Sequence, residues 1–368
     1  MSEKGRFYVF DAHCDTAQRL TGDDPVDLGK PLPDGHVDIP RMKRGGVGAQ
    51  VFACWVDPDS AAADRPAATL GAVEAVRAAV VSSAGEMAPV LASGDLSSIR
   101  RSGRIAVLVG VEGGHVLDGS VELIDDLYAA GVRCLTLTWN NTNSLADAAE
   151  GERRWKGLSP AGRGAVRKMN RLGMAIDLSH ASDETFYDVL EVSSAPVLAS
   201  HSNMRALCDI RRNISDAMLL ALGSVGGVVG INFFPAFLDE ECHAAVFAVW
   251  DRYRAERSAL AAGYGGDAKR ADEEIMNRYL EQVRAIPMPG IEAVAEHMEH
   301  AASVAGASHV GLGSDFDGIA AVPPGLEDVS RMQSLAAELL LRGWSEDEVA
   351  SVMGENLLRY FEDALGPR

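Results

Sequence analysis

Eight short apolar runs, each long enough for one strand and each set off from the next by loop or helical sequence, leave this chain very few folds. They are Phe7–Phe10, Val47–Val56, Ile105–Val111, Val132–Trp139, Met174–Leu178, Pro196–Ala199, Gly227–Phe234 and Val310–Gly313. Apolar residues recur at helical spacing in Ala61–Ser83, and helices are also expected over Val121–Gly131, Ala161–Gly173, Asp183–Val192 and Ile291–Val304. Strands that alternate with helices build parallel sheets, and eight of them predict a (β/α)8 barrel of the TIM type. Asp57-Pro58 and Pro235 close the second and seventh runs, because proline donates no ladder hydrogen bond. Ala17–Arg44, rich in Gly, Pro and Asp, reads as an exposed connection.

One barrel domain over residues 1–368 is expected, with a helical insertion at 238–290 between the last two strands. The insertion holds two amphipathic helices, about Glu241–Ala262 and Asp267–Ala285, joined by Gly263-Tyr264-Gly265-Gly266. It is either a lid over the barrel mouth or an oligomer contact. Two more helices, Val329–Arg342 and Ser345–Leu365, end the chain, and Ser345 with Glu348 has capping-box spacing.

In such a barrel the reactive side chains gather at the C-terminal ends of the strands. Here His13 and Asp15 end the first run, Glu112 the third, His180 the fifth, His201 the sixth and Asp315 the eighth. His13 and Asp15 are two apart, and residues i and i+2 of a strand share a face. Glu112 is followed by two glycines, the signature of a close backbone approach. A single His-x-Asp is more often a polar pair in a turn than a metal site. Chance does not easily place three of nine histidines directly after apolar strands, and the pattern points to a metal centre.

The chain can bury a large core, with 47% hydrophobic and 24% charged residues. A net charge of −19 argues against nucleic acid and anionic membranes as partners, since both require a basic patch. The five cysteines are scattered without a C-x-x-C, so neither a disulfide framework nor a thiolate zinc site is expected. With no apolar leader and no run of 18 apolar residues, a reduced cytoplasmic protein is expected.

The segments DAHCDT (Asp11–Thr16), GVEGGH (Gly110–His115), LTLT (Leu135–Thr138), DLSH (Asp177–His180), SHSN (Ser200–Asn203), RRN (Arg211–Asn213), GSDFDG (Gly313–Gly318), GLEDVS (Gly325–Ser330) and GENLLRYF (Gly354–Phe361) together resemble the membrane (renal-type) dipeptidase family of the amidohydrolase superfamily. The likeness spans nearly the whole chain. It implies a two-zinc centre in which His13 and Asp15 hold one ion, His180 and His201 the other, and Glu112 bridges them. A water between the ions becomes the nucleophile in such centres. By the same resemblance Asp315 is the catalytic aspartate that accepts and returns the proton, with Asp317 its local competitor. Arg212 binds the substrate carboxylate, where a guanidinium fork gives bidentate geometry.

Two departures stand out. Mammalian-type members carry a histidine directly after LTLT that steadies the tetrahedral intermediate, and here Trp139 occupies that place. Asn140, Asn141 or Asn143 is the candidate for the missing donor, so Trp139 and Asn140 join the expected substrate-binding residues. The mammalian relatives are also secreted and lipid-anchored, which is not expected here. The resulting expectation is a zinc-dependent dipeptidase, dimeric as its family is, with an L-residue at the amino end and an L- or D-residue at the carboxyl end. Trp139 keeps open a related amidohydrolase acting on N-acyl amino acids or a cyclic amide. A metal-holding binding protein without turnover is the third reading, which gives Asp315 no task. Among the other histidines, His36, His243, His297, His300, His309 and His115 read as structural, with a supporting role beside Glu112 the lesser alternative for His115.

Overall fold

The computed structural model describes residues 6–22, 24–264 and 268–366. Nine parallel strands appear among them: β1 (Val9–Cys14), β2 (Val47–Trp55), β3 (Met87–Pro89), β4 (Ile105–Glu112), β5 (Val132–Thr136), β6 (Ala175–Asp177), β7 (Leu198–Ala199), β8 (Val228–Ile231) and β9 (Val310–Leu312). Eight of them close a (β/α)8 barrel. β2 pairs with β4 across Ala49–Trp55 and Ala106–Glu112, and β9 returns to β1 at Leu312↔Asp11. All eight are runs recognisable in the sequence. The ninth strand, β3, pairs only with Ile105–Val107 at the start of β4.

The strands are buried on both faces, as β4 is throughout, which is why they read as unbroken apolar runs rather than as alternations. The period of two still sorts their side chains. Ala106 and Leu108 face a core inside the barrel, together with Phe10, Ala12, Val51, Cys134 and Leu198. Ile105, Val107, Val109 and Val111 face the surrounding helices. Glu112 falls on the inward set with Ala106 and Leu108, so the ladder itself aims it into the mouth.

Seven helices follow in the first two thirds of the chain: α1 (Ile39–Gly45), α2 (Arg65–Ser82), α3 (Ser93–Ser102), α4 (Leu123–Ala130), α5 (Pro160–Leu172), α6 (Asp183–Val192) and α7 (Asp216–Ser224). α5, α6 and α7 each open on a serine, Ser159, Ser182 or Ser215, whose side chain accepts a hydrogen bond from the third helical residue. The stretch read as a connection thus contains a real helix, α1, capped by Asp38 and started by Pro40.

After β8 come α8 (Pro235–Leu238), α9 (Glu240–Gly263) and α10 (Ala268–Val283). The expected glycine junction falls partly outside the described residues, at Gly265, Gly266 and Asp267. These helices share a small core of Val246, Val249, Tyr253, Ile275, Tyr279 and Val283, against which Ile319, Ala320 and Ala321 pack. The insertion therefore rests on the loop that follows Asp315.

α11 (Ile291–Ala305), α12 (Met332–Leu341), α13 (Glu346–Ala350) and α14 (Asn356–Ala364) complete the chain. Ser345 and Glu348 form the expected capping box. Residues Ser351–Glu355 are a π-helical turn, and a Cβ on Gly354 there would lie 2.7 Å from the Tyr8 carbonyl oxygen. Only glycine lets the turn approach β1 so closely. α14 then plugs the lower end of the barrel, its Phe361 stacked on Phe10 with ring centroids 5.2 Å apart. All five cysteines are buried and free. No helix among the described residues is long and apolar enough to cross a membrane.

Candidate metal centre

The upper rim brings the five expected ligands together. His13 lies within β1, Asp15 just beyond it, Glu112 ends β4, and His180 and His201 stand in the loops after β6 and β7. All five are buried, none more than 8% exposed. Ligand atoms of His13, Glu112 and His201 lie within 4.8 Å of one another, as do those of His13, Asp15 and Asp315. Glu112 is central: its Oε1 is 2.9 Å from His180 Nε2, 3.4 Å from His201 Nε2 and 4.0 Å from His13 Nε2. His13 Nε2 is 3.5 Å from Asp15 Oδ2.

Local structure explains the convergence. The β1–β2 ladder slips between Asp11 and Cys14, and such an irregularity at a barrel rim re-aims side chains. His180 and Asp315 both hold left-handed backbone, with φ of 66° and 62°. Non-glycine residues in that region cost about 1–3 kcal/mol each and cluster at functional sites. Gly318 leaves room for the carboxylates, since a Cβ there would sit 2.1 Å from Asp15 Oδ2 and 2.7 Å from Asp315 Oδ1.

The histidine hydrogen bonds test whether these residues fit a cation. His201 Nδ1 is 2.7 Å from Ser200 Oγ, and His180 Nδ1 is 2.8 Å from Asn140 Oδ1. The Asn140 carbonyl oxygen can only accept, which puts the proton on His180 Nδ1, and Ser200, whose hydroxyl points to Asp177 Oδ2 at 2.6 Å, favours the same tautomer for His201, so that both Nε2 atoms present lone pairs. Those two nitrogens face each other 3.0 Å apart, beside the Glu112 carboxylate. Opposed lone pairs repel unless a cation lies between or beside them. The Nε2 of His13 is likewise buried without a hydrogen-bond partner among the described residues. Imidazole and carboxylate donors in this arrangement fit divalent ions of the zinc class.

Without a cation, like charges crowd the site. Burial, with Asp15 and Asp315 nearby, pushes Glu112 well above the usual carboxylate range. Burial opposes charge on His13 too, yet Asp15, Glu112 and Asp315 together raise it to about 10. His180 and His201 are held well below the usual histidine value by burial and by the Arg212 and His13 charges. Burial raises Asp315 to about 7.

Asp315 and Asp317 separate cleanly. Asp315 Oδ1 is 3.9 Å from His13 Nε2, and its Oδ2 accepts a 2.8 Å bond from Asn232 Nδ2. The Asn232 amide cannot flip without losing the Phe234 N–H that its own Oδ1 accepts at 2.6 Å. Asp317 turns away, accepting from Thr16 Oγ1 and from the His36 backbone N–H, each at 2.7 Å. The His36 ring is tied to the same turn, its Nδ1 accepting the Asp317 N–H at 2.8 Å.

Arg212 is 5% exposed, yet among the described residues its guanidinium meets no carboxylate within salt-bridge distance. Its Nη1 donates to Ser202 Oγ at 3.2 Å and its plane lies 5.5 Å from the Phe237 ring centroid. Its Nε and Nη2 are buried without partners among the described residues. It is near enough to the centre to influence Glu112, His180 and His201.

Trp139 packs against Trp55, ring centroids 5.1 Å apart, and stands 6.4 Å from the His180 ring. The Asn140 carbonyl is committed to His180, and the Asn143 amide to its own turn through Leu137 O and the Leu145 N–H. His115 Nε2 bonds the Val56 carbonyl at 2.8 Å rather than Glu112. His297 ties the loop after β7 to α8, accepting the Met204 N–H and bonding the Leu238 carbonyl. Three residues escaped the sequence reading: Asn232, Ser200 and Asp177. The last two stand inside the DLSH and SHSN segments, and only their contacts reveal a task.

A model of the membrane dipeptidase family (peptidase family M19) matches residues 4–365. An uncharacterized dipeptidase of Schizosaccharomyces pombe is 34% identical over 342 residues, covering 89% of this chain and 73% of the relative. Dipeptidase 3 of Mus musculus is 33% identical over 332 residues, covering 89% of this chain and 57% of its own. The crystal structure of the dipeptidase AC, a metallo peptidase of family M19, superposes with a TM-score of 0.80 at 25% identity, covering 98% of this chain and 99% of that one. A metallo peptidase from Rhodobacter sphaeroides, solved with a phosphinate mimic of the dipeptide L-Ala-D-Ala, shares the fold with a TM-score of 0.79 at 24% identity, covering 97% and 99%.

Proposed function

The chain belongs to the membrane dipeptidase family of metal-dependent hydrolases, and from that premise we propose that it is a two-zinc enzyme cleaving dipeptides with an L-residue at the amino end and an L- or D-residue at the carboxyl end. The observation that carries this reading is Arg212, a buried guanidinium with two uncommitted donors beside a cluster of metal-type ligands. A buried charge without a partner is costly unless a ligand completes it. A planar fork of N–H groups is completed best by a carboxylate.

His13 and Asp15 would hold one ion and His180 and His201 the other, with Glu112 between them. When bound, the ions supply a Lewis acid for the peptide carbonyl and a water acidified to near neutrality. Arg212 Nε and Nη2 would grip the substrate carboxylate and set the scissile bond over the cluster. Asp315 would accept the attacking water's proton at Oδ1, its Oδ2 being held by Asn232, and return it to the leaving amine nitrogen. Burial raises the Asp315 carboxyl to about 7 in the metal-free protein, and Asn232 holds its Oδ2 so that Oδ1 is the atom to take the proton. Trp139 and Trp55 wall the His180 side with rings that carry no titratable group but offer indole N–H donors.

Turnover of L,L and L,D dipeptides, set beside their N-acetylated copies, tests the reading. Cleavage restricted to free-amine dipeptides is expected. Cleavage of the acetylated set alone would instead favour an N-acyl amino acid hydrolase built on the same centre.

A further inference from the structure

Behind His201 stands a carboxylate with no part in the steps above. Asp177, the last residue of β6, is 1% exposed and forms no salt bridge among the described residues. Four donors satisfy it instead. Its Oδ2 accepts the hydroxyls of Thr136 and Ser200, each at 2.6 Å. Its Oδ1 accepts the backbone N–H groups of Ser179 and Ser200, at 3.0 and 2.8 Å. The arrangement is built into the sheet, because β6 and β7 pair at Asp177↔Leu198 and so bring Ser200 alongside.

A serine hydroxyl has one proton. Ser200 commits it to Asp177, a charged acceptor at 2.6 Å, in preference to Ser179 Oγ at 3.3 Å. Toward His201 Nδ1, 2.7 Å away, Ser200 Oγ can then only accept. The imidazole is thereby forced to carry its proton on Nδ1 and to present a bare Nε2 to the centre. His180 is held differently, by the neutral amide of an exposed asparagine, Asn140.

We propose that Asp177 and Ser200 form a buried relay that locks the His201 tautomer and strengthens its Nε2 as a donor, making both of them positioning residues for the ion on the His180–His201 side. The inference rests on the reading of His201 as a metal ligand. A carboxylate acting through an intervening hydroxyl does what a direct carboxylate–histidine contact does for other metal-bound imidazoles. Thr136 bonds the same carboxylate without touching His201, and so provides the control.

The test joins two readouts, neither of them turnover. Nitrogen-15 NMR of histidine-labelled, chelator-stripped protein reports the His201 tautomer. Competition with a chromophoric chelator reports zinc affinity. The wild type is expected to show Nδ1–H at His201. Ser200→Ala and Asp177→Asn are expected to mix the tautomers and to weaken one zinc ion about 10- to 100-fold. Thr136→Val, which removes a buried bond to the same carboxylate, is expected to shift zinc affinity by less than about threefold. The relay is overturned if wild-type His201 carries its proton on Nε2. It is equally overturned if Ser200→Ala melts earlier yet keeps its tautomer and its zinc affinity. Should Asp177→Asn not fold, the wild-type spectrum and Ser200→Ala decide alone. Absence of any zinc uptake by the wild type would count against the metal centre itself, whereas the tautomer spectrum of the metal-free protein judges the relay separately.

Discussion

Replacing Arg212 with methionine keeps much of the side chain's length and its contact with Phe237 while deleting the charge. Arg212 has one weak bond, to Ser202 at 3.2 Å, and two buried donors with nothing to bind among the described residues. A hydrogen bond to a charged group contributes about 1.5–3 kcal/mol. Two such bonds to a substrate carboxylate, discounted for non-additivity, come to about 3–4 kcal/mol, or about 10²- to 10³-fold in kcat/KM. The loss should fall mainly on KM, because the carboxylate is gripped equally in ground and transition states. Stability should move the other way: removing a buried cation that lacks an ion-pair partner relieves desolvation, so the variant should melt no earlier than the wild type. The assay compares a dipeptide with its C-terminal amide for both proteins. The wild type should prefer the free acid strongly, and Arg212→Met should erase the preference. A variant that loses activity equally on acid and amide would refute the carboxylate role, as would a loss below tenfold.

Three further expectations follow from the same geometry. Asp315→Asn should retain its metal ions, measured by elemental analysis, and lose about 10²- to 10⁴-fold in kcat; turnover near the wild-type rate would move the proton transfer elsewhere. Metal affinity should rise with pH, because His13, raised to about 10, and Glu112, raised well above its usual range, hold protons that a cation displaces. Zinc titrations of stripped protein between pH 6 and 8 should therefore tighten as pH rises and release protons to the buffer, and a flat profile would contradict this. Burial lowers His297 from 6.5 to about 4, so the fold binds its proton less readily than the unfolded chain does. The stability from neutral His297 is full above about pH 6.5 and is lost as pH falls toward 4, by about 3 kcal/mol in total. Urea melts of stripped protein at pH 7.5 and 4.5 should show a smaller acid loss in His297→Gln than in the wild type; equal losses would rule His297 out.

The barrel was legible because parallel strands are buried on both faces, and an eight-residue stretch such as Ile105–Glu112 cannot hide its composition. β3 was not, since Met87–Pro89 is too short to carry any period. α3 was missed because only Leu96 and Ile99 of its ten residues are buried, and α1 because its proline, glycine and basic residues resemble a loop. The candidate ligand set was visible as histidines and carboxylates interrupting apolar strand ends. The choice of Asp315 over Asp317 needed the resemblance, and the geometry gives a physical reason: Asp317 is spent on Thr16 and the His36 backbone. Asn232 left no trace in the sequence and Ser200 none of its task, because asparagine and serine are common after strands. What marks them out is distance, and distance between loops of separate strands is not written in any local pattern. Asn140 also makes a contact that no local pattern announces, its carbonyl bonding His180 while its amide N–H groups stay available as donors.

The most direct measurement adds zinc stepwise to chelator-stripped protein and follows both bound metal and turnover of an L,D dipeptide at each step. The account predicts no turnover without metal, saturation at two equivalents, and full activity only as the second ion is taken up. Saturation at a single equivalent with full activity, or turnover undiminished in the stripped protein, would contradict a two-ion centre built from His13, Asp15, Glu112, His180 and His201.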